Sequence, residues 1–260
     1  MVGAMNKYAS ALITGASSGI GAALAIELAH PGVRLHLGGR DMGRLHEVAE
    51  SCEVRGAHPE IHAVDVRDAD GVAAWIAAAG HLDLVVANAG INAGGSRHDL
   101  GPDARTREIF AANLDGMLNT VLPAVAAMRD QVPGTDGIRG RIAVVASIAA
   151  FVPLPGGAAY SAAKAAADTW TVACTRDARR AGIHMTSACP GYIRTPMTEG
   201  NEFPMPGLMD SDRAARLILR AVAAGRRRVT FPWWMGLLAR TGGLLPPAVL
   251  ERLSRLVERG

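Results

Sequence analysis

The chain is poor in the residues that several classes of protein depend on. Its 260 residues include three cysteines, Cys52, Cys174 and Cys189, with no Cys-x-x-Cys pair and no zinc-like spacing. A disulfide framework is therefore not expected, and reduced thiols in a cytoplasmic protein are the simplest reading. Aromatic residues make up 4% of the chain against 49% hydrophobic residues in total, with alanine prominent. That balance favours small-residue packing of helices on a sheet and argues against an aromatic-rich binding surface. No run of about 18 consecutive apolar residues occurs, so no ordinary transmembrane helix is expected. Met1 to Lys7 lack the apolar core of a signal peptide. No linker, low-complexity block or internal repeat divides the chain. The net charge of +3 is scattered, which gives no ground for a nucleic-acid partner. The histidines show no ligand clustering along the sequence. His36, His46, His58 and His62 read as surface or packing residues, and no metal is expected.

What is present is concentrated in a few short motifs. Tyr160 and Lys164 stand four residues apart, and Ser147 lies thirteen residues before the tyrosine. Positions i and i+4 share one face of a helix. An ammonium there favours ionisation of the phenol, whose ordinary pKa near 10 is too high for proton transfer at neutral pH. Such a tyrosine can give a proton to a carbonyl oxygen or take one from an alcohol. The other reading of an isolated Tyr-x-x-x-Lys is an ordinary surface pair on an amphipathic helix. The rest of the sequence decides between the two.

Ala9 to Ile13 reads as a buried strand and Ala22 to Ala29 as a helix, with Thr14-Gly15-Ala16-Ser17-Ser18-Gly19-Ile20-Gly21 between them. Strand, glycine turn and helix form the context of a dinucleotide site. Gly15 permits the tight turn, Gly19 and Gly21 allow close backbone approach, and the helix start offers free N–H groups to a pyrophosphate. The spacing is GxxxGxG rather than GxGxxG. Further strands are expected at 33–37, 60–64, 82–87, 142–146 and 184–188, with a seventh at 229–231. Helices are expected at 45–52, 72–79, 106–128 with a bend at Pro123, and 158–180. Alternation of this kind implies a doubly wound α/β fold, a parallel sheet covered on both faces. Ligands in such sheets bind outside the carboxyl ends of the strands. The motifs fall there: Gly15 after the first strand, then Arg40, Asp65, Asn88, Ser147 and Pro190 after the next five.

These pieces in this order resemble the short-chain dehydrogenase/reductase family, from about Ala9 to Met197. The resemblance rests on TGASSGIG at 14–21, Asp65-Val66, Asn88-Ala89-Gly90, Asn113, Ser147, Tyr160-Ser161-Ala162-Ala163-Lys164, and Pro190-Gly191 with Thr195. It implies a Rossmann-like fold and a nicotinamide cofactor held by Gly15, Ser17, Ser18, Gly19, Ile20 and Gly21, with Asp65 and Val66 flanking the adenine. Asn88, Ala89 and Gly90 would pass the adenosine ribose, and Pro190, Gly191, Ile193 and Thr195 would border the nicotinamide. It makes Tyr160 the general acid in reduction and the base in oxidation. Lys164 would lower the tyrosine's pKa and hold the nicotinamide ribose, Ser147 would bond the substrate oxygen, and Asn113 would hold a water that links Lys164 to solvent. Gly39 stands where NAD-preferring members carry an acid, and Arg40 follows. A guanidinium grips a 2′-phosphate bidentately, so NADP is expected over NAD; Asp41 could pair with Arg40 or turn outward. Cys189 reads as a packed small residue, not a nucleophile.

The expected activity is interconversion of a carbonyl and a secondary alcohol. The runner-up is a protein of the same fold that binds NADP without turnover. The pocket is expected to be bordered by 94–103, 151–158 and 192–208, through Ile91, Phe151, Val152, Leu154, Tyr192, Met197, Phe203 and Met205. Arg97 and Arg194 are the candidate cations there, and a mainly apolar substrate follows. Assembly as a homodimer or homotetramer is the family's habit. Residues 1–225 carry the family features, and 226–260 form an extension of the same domain. That extension holds Arg226-Arg227-Arg228, Trp233-Trp234 and an apolar stripe of Val249, Leu250, Leu253, Leu256 and Val257. It is compatible with a pocket lid, a subunit contact or a peripheral membrane element.

Overall fold

A computed structural model describes residues 8–92, 102–153, 157–200, 204–246 and 248–249. The stripe positions from Leu250 onward, and Arg97, Leu154 and Phe203, lie outside the described residues. Seven parallel strands form the main sheet in the order β3-β2-β1-β4-β5-β6-β9. They are β1 (Ser10–Thr14), β2 (Arg34–Gly39), β3 (His58–Ala63), β4 (Leu84–Ala87), β5 (Gly140–Val145), β6 (Ile183–Pro190) and β9 (Arg228–Phe231). β1, β4 and β5 are buried along their whole length, as strands covered on both faces must be. That is why they read as near-continuous apolar runs. The fold is Rossmann-like, as expected.

Helices cover both faces. α1 (Gly19–Leu28), α2 (Met42–Glu53) and α8 (Ser211–Ala223) pack on one side, where Leu24, Leu28, Leu35, Leu37, Leu45 and Ile218 join one core cluster. α3 (Ala69–Ala78), α5 (Gly116–Asp130) and α6 (Ala158–Arg180) cover the other, around Leu12, Trp75, Val85, Val121 and Ile142. The long helical stretch expected at 106–128 is two helices, α4 (Pro102–Phe110) and α5, joined by a π turn at Ala111–Asp115. α5 runs through Pro123, so the irregularity falls at the π turn. This composite helix is long and apolar enough by composition to cross a membrane. Its Met117, Val121, Ala124 and Met128 lie in the core, which makes it a core helix of the fold.

A two-stranded accessory sheet, β7 (Ile193–Arg194) and β8 (Met209–Asp210), and the short α7 (Pro196–Glu199) follow β6. β9 then pairs with β6, Ser187 opposite Arg228 to Pro190 opposite Phe231. The chain continues into α9 (Trp233–Gly242). The start of the C-terminal segment is thus a strand of the main sheet.

Strand register groups histidines that sequence spacing does not. β2 and β3 pair His36 with Glu60 and Gly38 with His62. This brings His36, Glu60 and His62 together, although nothing in their sequence spacing groups them.

Candidate active site

The strand order reverses between β1 and β4, and a cavity of about 430 Å³ opens outside the carboxyl ends of the strands around that point. Crevices at such switch points are where doubly wound sheets take ligands. Its floor is the turn from β1 to α1. Gly15 and Gly19 have φ of 66° and 55°, the left-handed region that glycine enters without strain. A Cβ on Gly21 would stand 2.1 Å from the Gly15 carbonyl oxygen, so Gly21 packs the helix against the turn and does not itself line the cavity. Ser18 makes no side-chain cap on α1, and the first turn of α1 carries no acidic residue. By contrast, Asp41 and Asp68 cap α2 and α3 by accepting from Arg44 N and Gly71 N. The positive end of α1 is left open toward the cavity, which suits a pyrophosphate.

Asn88 binds this turn to the end of β4. Its side-chain amide donates to the carbonyls of Thr14 and Gly15 at 3.0 Å each. Its backbone N–H donates to Thr14 Oγ1 at 3.1 Å. Asn88 therefore shapes the cradle as well as lining it.

The end of the cavity beyond β2 and β3 carries more charge than the sequence motifs alone indicated. Arg40 lies exposed on the cavity wall, as expected. Asp41 turns to Arg44, with Arg44 Nε 3.2 Å from its carboxylate, and leaves the Arg40 guanidinium unclaimed by that acid. Arg44 also lines the cavity, a residue the motifs missed. The signal for it was the Asp41 cap, which sets Arg44 one turn into a helix that starts at the cavity. Arg67 is a second addition. Its Nε stands 2.9 and 3.0 Å from the two Asp65 oxygens, and these hydrogen bonds hold the Asp65 carboxyl below its usual range.

At the other end, Ser147 starts a 3-10 turn (Ile148–Ala150), and its Oγ accepts from Ala149 N at 3.1 Å. Tyr160 and Lys164 project from α6 into the same cavity. The Lys164 ammonium donates to the Val145 carbonyl at 2.8 Å and lies 5.8 Å from the Tyr160 ring centre. Burial pushes the lysine down from the ordinary 10.5 to about 8. Burial also raises the tyrosine, and a hydrogen bond with Ser147 pulls the other way. Burial, the larger of the two effects, leaves the Tyr160 phenol above its ordinary value.

Asn113 sits in the π turn, 1% exposed. Its Oδ1 accepts from Ile91 N at 2.7 Å and its Nδ2 donates to Ile91 O at 2.9 Å. It is not on the cavity wall but fixes the backbone just beyond Gly90, where a Cβ would meet its Oδ1 at 2.8 Å. Pro190, Gly191, Ile193 and Thr195 line the wall after β6, together with Pro196, Met197 and Thr198. Of the apolar residues expected to border the pocket, Ile91 and Met197 line this cavity, whereas Phe151, Val152, Tyr192 and Met205 do not. Phe151 lies instead under Arg240, 4.4 Å from its ring centre, and beside Arg228 at 5.5 Å. Arg194 pairs with Asp210. Cys189 is buried, 3.4 Å from Asp168 Oδ1, and burial pushes its thiol up to about 12, which suits a packed residue rather than a thiolate nucleophile.

A family model described as short chain dehydrogenase matches residues 9–203. An uncharacterized oxidoreductase of Myxococcus xanthus is 36% identical over 256 residues, covering 96% of this chain and 97% of its own. A 3-ketoacyl-ACP reductase of Sinorhizobium meliloti superposes with a TM-score of 0.73 at 30% identity, over 88% of this chain and 99% of its own. A short chain dehydrogenase of Mycobacterium paratuberculosis bound to NAD shares the fold, with a TM-score of 0.74 at 23% identity over 88% of this chain and 97% of its own.

Proposed function

The chain belongs to the short-chain dehydrogenase/reductase family of NAD(P)-dependent oxidoreductases, and from that premise we propose that it is an NADP-dependent enzyme interconverting a carbonyl and a secondary alcohol on a mainly apolar substrate. The observation that carries this reading is the presence of Ser147, Tyr160 and Lys164 in the cavity that also holds the glycine turn and Arg40.

The glycine cradle and the open end of α1 fit a pyrophosphate, so a nicotinamide dinucleotide fits the residues present. When bound, the cofactor supplies or accepts the hydride at the carbonyl carbon. In reduction, the Ser147 hydroxyl donates a hydrogen bond to the substrate oxygen. Tyr160 O–H, protonated at neutral pH as an ordinary phenol is, gives its proton to that oxygen as charge develops on it. In oxidation the same oxygen atoms exchange the proton in reverse. The Lys164 ammonium would stabilise the tyrosinate left behind and would hold the nicotinamide ribose. Asn113 keeps Ile91 and Gly90 in place beside it. Arg40 and Arg44, both on the cavity wall, would bind a 2′-phosphate and set the preference for NADP. The start of the C-terminal segment belongs to the same domain as the rest of the sheet, since β9 pairs with β6. The enzyme works in the cytoplasm as a homodimer or homotetramer.

Likeness to a 3-ketoacyl-ACP reductase supports β-keto thioesters as one substrate class to test. The test is a screen of the purified protein with NADPH and NADH against apolar ketones and β-keto thioesters. Turnover with NADPH on at least one class is expected. Tight NADPH binding without turnover on any class would favour the silent binding protein instead.

A further inference from the structure

His36, Glu60 and His62 occupy neighbouring positions on the last two strands of the sheet. Residues two apart on a strand share a face. The pairing of His36 with Glu60, and of Gly38 with His62, therefore sends all three side chains to one side. Trp75 of α3 covers that side, its ring 5.2 Å from the His62 ring and packed where a Gly38 side chain would be. One donor atom from each residue lies within 4.8 Å of the other two. His36 Nδ1 is 3.3 Å, and His62 Nε2 4.0 Å, from the same Glu60 oxygen. In a tetrahedral centre with bonds of about 2.0–2.2 Å, donors stand about 3.4 Å apart. The first separation already fits, and small side-chain rotations close the others.

A second observation is independent of this clustering. His36 is 3% exposed, its Nδ1 faces the Glu60 carboxylate, and among the described residues neither its Nε2 nor His62 Nε2 has a hydrogen-bond partner. Buried polar groups are nearly always paired. Glu60 is 56% exposed, which leaves a path for an ion and room for a water as fourth ligand.

We propose that His36, Glu60 and His62 form a zinc-type divalent metal site at the edge of the sheet. Two imidazoles and a carboxylate suit Zn²⁺ better than Mg²⁺ or Ca²⁺, which favour all-oxygen shells. None of the three residues lines the cofactor cavity, so the role is structural. The ion would fasten β3 to β2 just ahead of Val64 and Asp65, which do line it.

The test uses the full chain, stripped with a chelator and titrated with Zn²⁺ by calorimetry and with Co²⁺ by visible absorption. One saturating equivalent, tetrahedral Co²⁺ bands and a melting temperature that climbs with metal concentration are expected. Glu60→Gln and His62→Ala should each weaken binding by at least about 10–100-fold, since even outer-shell changes cost that much. His36 is in the core and its replacement risks the fold, so the conclusion rests on the two accessible ligands. The absence of saturable uptake overturns the proposal. So does uptake that survives either substitution at full affinity, because the ion would then sit on other donors.

Discussion

Lys164→Met should make the protein inactive and more stable. The ammonium is buried at 5% exposure, with one hydrogen bond, to the Val145 carbonyl. A fall from 10.5 to about 8 means that holding the charge in the fold costs roughly 3 kcal/mol at neutral pH, at 1.36 kcal/mol per pH unit. Methionine has a similar shape without the charge. It forfeits the bond to Val145, worth about 1 kcal/mol. The net gain is about 2 kcal/mol, or a rise in melting temperature of roughly 4–8 °C for a chain of this size. The pH dependence carries the sharper test. Between about 8 and 10.5 the unfolded chain binds the lysine proton more tightly than the folded one, so the wild type gains stability as pH rises through that window. The variant does not share this gain. Denaturant unfolding of both proteins at pH 7 and again above pH 10 should therefore show the gap shrink or reverse. A variant less stable than the wild type at pH 7 would refute the reasoning, and show that the charge is compensated by groups beyond the Val145 carbonyl.

Arg40→Ala should weaken NADPH binding by roughly 1.5–3 kcal/mol, the range for one charge-assisted contact, and leave NADH nearly unaffected in side-by-side titrations. Equal loss for both nucleotides would mean that Arg40 only supports the turn. Arg240→Ala should lower kcat/KM by up to about tenfold while the chain still folds. It removes a guanidinium stacked on Phe151, worth about 0.5–2 kcal/mol, from the segment that follows the Ser147 turn. Unchanged steady-state kinetics would leave α9 without a role at the site. Truncation after Gly225 cannot answer the same question, because it strips β9 from the sheet.

Much of this was legible because parallel strands buried on both faces leave unbroken apolar runs, as in β1, β4 and β5. α6 was readable to the residue, since Gly157 and Ala181 bracket an uninterrupted helical pattern. β3 was placed two residues late because an edge strand, His58–Ala63, is half solvated and carries polar residues that weaken its signal. The π turn at Asn113 has no local sequence mark; it depends on the side chain reaching Ile91 across the fold. The glycine turn and the Tyr160–Lys164 pair were visible because local spacing determines them. Arg44, Arg67 and the His36–Glu60–His62 group were not, since cavity shape and strand register bring them together. The balance of burial and the Ser147 hydrogen bond on Tyr160 is likewise a property of the packed site.

The most direct measurement is NADPH-dependent carbonyl reduction by the wild type and by Tyr160→Phe, with NADPH affinity titrated on the same preparations. The account predicts turnover by the wild type on an apolar ketone or β-keto thioester. It predicts a fall of about 10²–10⁴-fold in the variant, the range for a general acid, with NADPH affinity essentially unchanged. A variant that keeps more than about a hundredth of the wild-type rate would contradict the assignment of Tyr160 as the proton donor.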